Sequence, residues 1–101
     1  MIKIEAIKKS EHYVELYPGE ENVEWLFEVL FNKLEYSVPE RLLKGTDSEE
    51  TGYQGYLKVQ LKNGETFEEF IKTLKQGLPV IPDIEQSMDG YTLYLTKPFL
   101  K

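Results

Sequence analysis

Residues 20–36, EENVEWLFEVLFNKLEY, restrict the fold of this chain more than any other stretch. Val23, Leu26, Phe27, Leu30, Phe31 and Leu34 recur at i, i+3, i+4, i+7, i+8 and i+11, which lines them along one side of a 3.6-residue helix. Glu21, Glu24, Glu28 and Glu35 gather on the opposite side as an acidic ridge. Trp25, the single tryptophan, and Val29 lie between the two and widen the apolar arc to more than half of the circumference. A helix resting on one core needs a stripe of only roughly 100°. This helix must either pack against two bodies or keep Trp25 and Val29 for a surface outside the fold.

The remaining elements follow from alternation and punctuation. Ile2, Ile4 and Ala6 alternate with Lys3, Glu5 and Ile7, and Tyr13, Glu15 and Tyr17 alternate with Val14 and Leu16, so a hairpin opens the chain. Pro18 and Gly19 break it, and Asn22 is placed to cap the main helix. That helix must stop before Val38, because a residue preceding proline is pushed out of the helical region. Ser37 and Glu40 have capping-box spacing, which predicts a short second helix over residues 38–44 with Gly45 as its stop. Residues 45–55, rich in Gly, Thr, Ser and acids without periodicity, predict a mobile loop. Leu57, Val59 and Leu61 mark a strand. Thr66 and Glu69 form a second capping box, ahead of Phe67, Phe70, Ile71 and Leu74 at helical spacing, with Gly77 closing. Asp89 and Gly90 signal a tight hairpin that would set Met88 opposite Tyr91, Gln86 opposite Leu93 and Ile84 opposite Leu95. The expected order is β-β-α-α-β-α-β-β, an α+β domain with a mainly antiparallel sheet of about five strands and its helices packed on one face. Edge strands of such a sheet leave a homodimer open.

Composition narrows the class. A chain of 101 residues with 41% hydrophobic content is long enough for one core and too short for two, so residues 1–101 read as a single domain. Zero cysteines exclude disulfides, thiolate metal sites and cysteine nucleophiles, and fit a reducing cytoplasm. The first ten residues lack a signal-peptide core, and no apolar run approaches membrane-spanning length. The net charge of −6 is uneven. Residues 11–50 hold eleven acids against Lys33, Arg41 and Lys44, whereas residues 51–101 hold six of each sign. Such a chain binds nucleic acid phosphates poorly, since that affinity comes from Lys and Arg displacing counterions. It suits a basic surface.

Little here points to catalysis. His12 is the only histidine, and a lone histidine at a hairpin is ordinarily solvated. With no second histidine and no cysteine, a zinc site would need carboxylates alone. The phosphate-loop, dinucleotide, nucleophile-elbow and zincin spacings are absent. Asp83 and Glu85 begin like a nuclease carboxylate set, but Leu95-Thr96-Lys97 stands where Glu-x-Lys would complete it; both read as outward-facing strand residues. Asp47, Glu49 and Glu50 lack the alternation and the glycine of a calcium loop. No cofactor and no metal is expected. Tyr13, Tyr17, Tyr56 and Tyr94 fall on the strand phases opposite Val14, Leu16, Leu57, Val59, Leu93 and Leu95, which would dress one wall of the sheet in tyrosine. Such a wall either merely covers the sheet or serves as a contact surface.

Tyr17, Gly19, Glu20, Asn22, Glu24, Leu26, Phe27, Glu28 and Leu30 resemble the inhibitory helix of the barstar family of intracellular ribonuclease inhibitors. There a Tyr-Gly-Glu-Asn lead-in opens a helix whose carboxylates plug a basic active site. The resemblance covers about fourteen residues with an insertion and places Glu where that family has Asp. It implies that Glu24 and Glu28 are the plugging acids.

The leading expectation is a small, acidic, non-enzymatic binding protein of inhibitor or immunity type, extending to a phage or mobile-element origin. It would cover a basic site on a protein partner with Glu21, Glu24 and Glu28, and hold it with Trp25 and Val29. Two other classes stay open: a structural or homo-oligomeric module that buries Trp25 and Val29 against a second copy, and a small enzyme or ligand-binding domain. No nucleic acid and no membrane partner is expected.

Overall fold

In the computed structural model, residues 2–42 and 55–96 are described, and they build a six-stranded antiparallel sheet with two helices, an α+β architecture. The strands are β1 (Ile2–Lys8), β2 (Tyr13–Tyr17), β3 (Ser37–Leu42), β4 (Tyr56–Gln60), β5 (Asp83–Gln86) and β6 (Gly90–Leu95), in the order β3-β4-β2-β1-β6-β5. Helix α1 (Val23–Glu28) is entered through a 3-10 turn, Glu20–Asn22, and left through a π turn, Val29–Lys33. Helix α2 spans Phe67–Gly77. The chain thus makes three hairpins separated by helices, and in the second and third hairpins the first strand lies at the sheet's edge.

Strand alternation sorts the side chains. Ile2, Ile4, Ala6, Val14, Leu16, Leu57, Val59, Leu93 and Leu95 are buried on one face of the sheet. Val23 and Leu26 from α1, Leu30 from the π turn, and Phe70, Ile71 and Leu74 from α2 join them in one cluster. Each of these side chains larger than Ala6 contributes about 1.5–3 kcal/mol on leaving water. Both helices therefore lie on the same face of the sheet.

Two expectations are corrected. The sheet has six strands because residues 37–42 form β3, paired antiparallel with β4, where a second helix over 38–44 was expected. The order is β-β-α-β-β-α-β-β. Val38 must be extended ahead of Pro39, and Pro39 is tolerated where the ladder is interrupted: the register shifts between Ser37 and Glu40. The capping box at Thr66 does form, with the Glu69 N–H donating to Thr66 Oγ1 at 3.1 Å and the Thr66 N–H to Glu69 Oε1 at 3.0 Å. The last hairpin is shifted by two residues: Gln86 faces Tyr91 and Ile84 faces Leu93. Gly90 is not a turn centre but the first residue of β6, where a Cβ would sit 1.9 Å from the Ala6 carbonyl oxygen. A two-residue shift keeps every side chain on its expected face. The expected loop at 45–54 lies outside the described residues.

The exit from α1 is unusual. The Leu34 N–H reaches the Val29 carbonyl at 2.9 Å and the Tyr36 N–H the Leu30 carbonyl at 2.8 Å, while Glu35 takes the left-handed region at φ 63°. This swings Tyr36, expected at the helix end, into the core at 2% exposure. Leu34 meets α2 where a Cβ on Gly77 would lie 2.7 Å from it, so Gly77 serves close approach.

Candidate protein-contact surface

The side of α1 and its entry turn that faces away from the sheet carries Glu21, Glu24 and Glu28, all exposed. Glu24 Oε1 lies 3.4 Å from Arg41 Nη1, and the Arg41 guanidinium lies 4.1 Å from the centre of the Phe27 ring. Arg41 comes from β3, on the same side of the sheet as its cross-strand partner Leu57. Phe27 and Phe31 stack at 5.3 Å with their planes 10° apart. Glu28 accepts a hydrogen bond from the Asn32 amide. An exposed ion pair such as Glu24–Arg41 adds only about 0–1 kcal/mol to stability. What the cluster supplies is a fixed arrangement of charge and ring.

Trp25 and Val29 are half-buried. Trp25 packs against the core cluster and its indole N–H donates to Asn22 Oδ1 at 2.9 Å. Asn22 is itself buried and donates through Nδ2 to the Pro18 carbonyl at 2.9 Å, so it braces the helix entry instead of capping it with its side chain. The apolar arc is indeed wider than one sheet can cover, but the ring left outside is Phe31, 50% exposed on the other flank. The spacing shows the excess width of the apolar arc; which flank stays wet depends on where β3 lies, and the local signals at residues 37–44 predict a helix there instead.

The far face of the sheet carries no described helix. Tyr13, Tyr17, Tyr56 and Tyr94 stand there, each half-buried, on the phases expected from alternation. Tyr17 and Tyr56 stack at 5.7 Å. Tyr17 donates to Glu15, Tyr56 to Glu40, and Tyr94 to Glu85 at 3.2 Å. Thr92 donates to Glu5 at 2.9 Å, and Lys3 lies 3.2 Å from the same carboxylate. Partial burial, then the Glu85 carboxylate, raises the Tyr94 phenol above its ordinary value. Asp83, opposite Tyr94, and Glu85 face outward.

His12 is exposed beside an open depression with Lys8, Glu11, Gln60, Lys62 and Glu65. Among the described residues, no group of three or more His, Cys, Asp and Glu converges to hold a metal ion. Asp47, Glu49 and Glu50 lie outside the described residues. No described helix is long and apolar enough to cross a membrane.

The chain matches no protein-family model, no curated protein and no solved structure. The similarity to the barstar inhibitory helix accordingly stays confined to the residues that carry it.

Proposed function

We propose that this chain is a non-enzymatic binding protein of inhibitor or immunity type, which lays the outward side of α1 on a basic site of a protein partner. The observation that carries the reading is Phe31, a half-exposed ring stacked on Phe27 beside Glu24 and Glu28. Leaving half of such a ring in water forgoes about half of the roughly 1.5–3 kcal/mol that full burial would return. The Phe27–Phe31 stack, with Arg41 against Phe27 and the carboxylates of Glu24 and Glu28 one helical turn away, has the make-up of an interface anchor with a charged rim. Glu21, Glu24 and Glu28 would orient and speed the encounter, and Phe31 would slow departure. Trp25, packed against the core cluster, braces α1 behind this surface, and Val29 stays half-buried one turn further on. The same carboxylates, repeated on a second copy, would repel each other, which favours a basic partner over self-association through this face.

The test is quantitative affinity capture from the source cells with two baits, the native chain and the Glu24→Lys, Glu28→Lys double variant. The native bait should retain a basic protein that the variant loses. Equal recovery on both baits would remove α1 from the contact and the proposal with it.

A further inference from the structure

We infer that the turn at Asn63-Gly64 is a site of spontaneous modification, where Asn63 deamidates through a cyclic imide and the product loosens the contacts that hold Tyr36. The reaction belongs to the chain's own covalent chemistry and needs no partner, so it stands apart from the α1 reading.

The turn joins β4 to α2 and is closed by the Glu65 N–H, which donates to the Lys62 carbonyl at 2.9 Å. Gly64 occupies its third position with φ 80°, the left-handed value that a type II turn needs there. The closing bond does not use the Gly64 nitrogen. Asn63 and Gly64 are both exposed and border the open depression beside His12, so water reaches them. Beyond its chain neighbours, nothing lies within 4 Å of where a Cβ on Gly64 would stand. Glycine thus leaves the Asn63 side chain an approach to the backbone that a β-carbon would obstruct.

The side-chain amide of Asn63 and the nitrogen of Gly64 are tethered so that their bonding closes a five-membered ring, which makes the attack unimolecular. The Gly64 N–H gives its proton to solvent and its nitrogen bonds to Asn63 Cγ. The Cγ–Nδ2 bond breaks, and Nδ2 takes up a proton and leaves as ammonia. Water then opens the imide. Cleavage at Cγ yields aspartate, and cleavage at the main-chain carbonyl yields isoaspartate, whose backbone runs through the side chain and gains a carbon. Amide and water become carboxylate and ammonium, with nothing oxidised or reduced.

The other two asparagines lack this arrangement. Asn22 is buried, with its amide on the Pro18 carbonyl and the Trp25 indole, and β-branched Val23 follows it. Asn32 lies in the π turn with its amide on Glu28, and Lys33 follows it. Asp89-Gly90 has similar spacing, but Gly90 is held in β6 against Ala6 and Ile7.

The product forms within a ring of contacts. The Lys62 N–H donates to Glu65 Oε1 at 3.0 Å, and Glu65 Oε2 accepts from the Tyr36 hydroxyl. Lys62 Nζ donates to the Leu34 carbonyl at 2.9 Å and lies 4.4 Å from the Tyr36 ring centre. An added backbone carbon between Lys62 and Glu65 misfits the turn, and a new carboxylate beside Lys62 competes for its ammonium. Both supports of Tyr36 are weakened together.

The experiment incubates the folded native chain and Asn63→Gln in neutral buffer for as long as a guanidinium-unfolded native control takes to deamidate. Peptide mass mapping locates the change, and enzymatic methyl transfer detects isoaspartate. In the folded chain Asn63 should account for nearly all deamidation, with isoaspartate several-fold above aspartate. Asn63→Gln should suppress it, because glutamine must close a larger ring. The native fraction that gains negative charge, separated by anion exchange, should show several-fold faster hydrogen exchange at the Glu65 and Tyr36 amides. An Asn63 that stays intact in the folded chain, deamidation spread evenly over the three asparagines, or unchanged exchange in the modified fraction would each overturn the inference. The mapping and the exchange are read on the native chain, so they hold whether or not Asn63→Gln folds.

Discussion

Burying a phenol removes its hydroxyl from water, and at Tyr36 the lost hydration is replaced by a hydrogen bond donated to Glu65 Oε2. Glu65 also accepts from the Lys62 N–H at 3.0 Å, and Lys62 Nζ lies 4.4 Å from the Tyr36 ring centre. Burial first, then the hydrogen bond and charge of Glu65, raises the Tyr36 phenol far above its ordinary value, against a smaller lowering by Thr73. The folded chain thus holds this proton more tightly than the unfolded chain, whose phenol ionises near pH ~10. The stability involved is complete below that pH and is lost as pH rises above it. In an ultraviolet titration one class of phenol should resist ionisation until the chain unfolds, and Tyr36→Phe should flatten the alkaline fall in stability. Its cost at neutral pH should be about 1 kcal/mol, the worth of one hydrogen bond. If all seven tyrosines ionised in a single step near pH ~10 with the fold intact, Tyr36 would not be buried as described.

At the scale of elements, α1 and the π turn that ends it separate their duties by residue. Leu30 is fully buried and Phe31, its neighbour, is 50% exposed. Leu30→Ala should cost about 2–5 kcal/mol in denaturant unfolding, a large share of a small domain's stability. Phe31→Ala should cost less than about 1 kcal/mol yet weaken partner binding. Reversed costs would mean that α1 is turned about its axis from the position described. The same elements show what a sequence discloses. Where apolar spacing and end signals agree, as from Thr66 to Leu74, the helix is legible. At Ser37 a capping box stood alone, with Val38-Pro39 arguing for extension and no apolar run behind it. Pairing with β4, a tertiary contact that no local pattern encodes, decided the outcome. The π turn after α1 was equally hidden, because the left-handed Glu35 is a residue type that does not announce that conformation.

Across the whole molecule, the sheet divides two unlike surfaces. Alternation alone foretold the tyrosine wall, since a strand's period of two fixes faces even when register slips by two, as it does in the last hairpin. The acidic ridge was legible for the same reason on α1, whereas Phe31 and Arg41 joined it only once β3 was in place. Arg41 partly neutralises Glu24, so the ridge keeps a negative surplus carried by Glu21 and Glu28 with Glu24. Such a surplus acts at a distance, and its signature is kinetic.

The association rate of the captured partner, followed by stopped flow against ionic strength, tests that claim most directly. The native chain should associate more slowly as salt rises and the screening length shrinks from about 10 Å at 0.1 M to about 3 Å at 1 M. Glu24→Lys, Glu28→Lys should abolish the fast association and its salt dependence. Glu68→Lys, an exposed reversal on α2 in the charge-balanced half of the chain, should leave both nearly unchanged. A double variant that associates at the native rate, with the native salt dependence, would contradict the account.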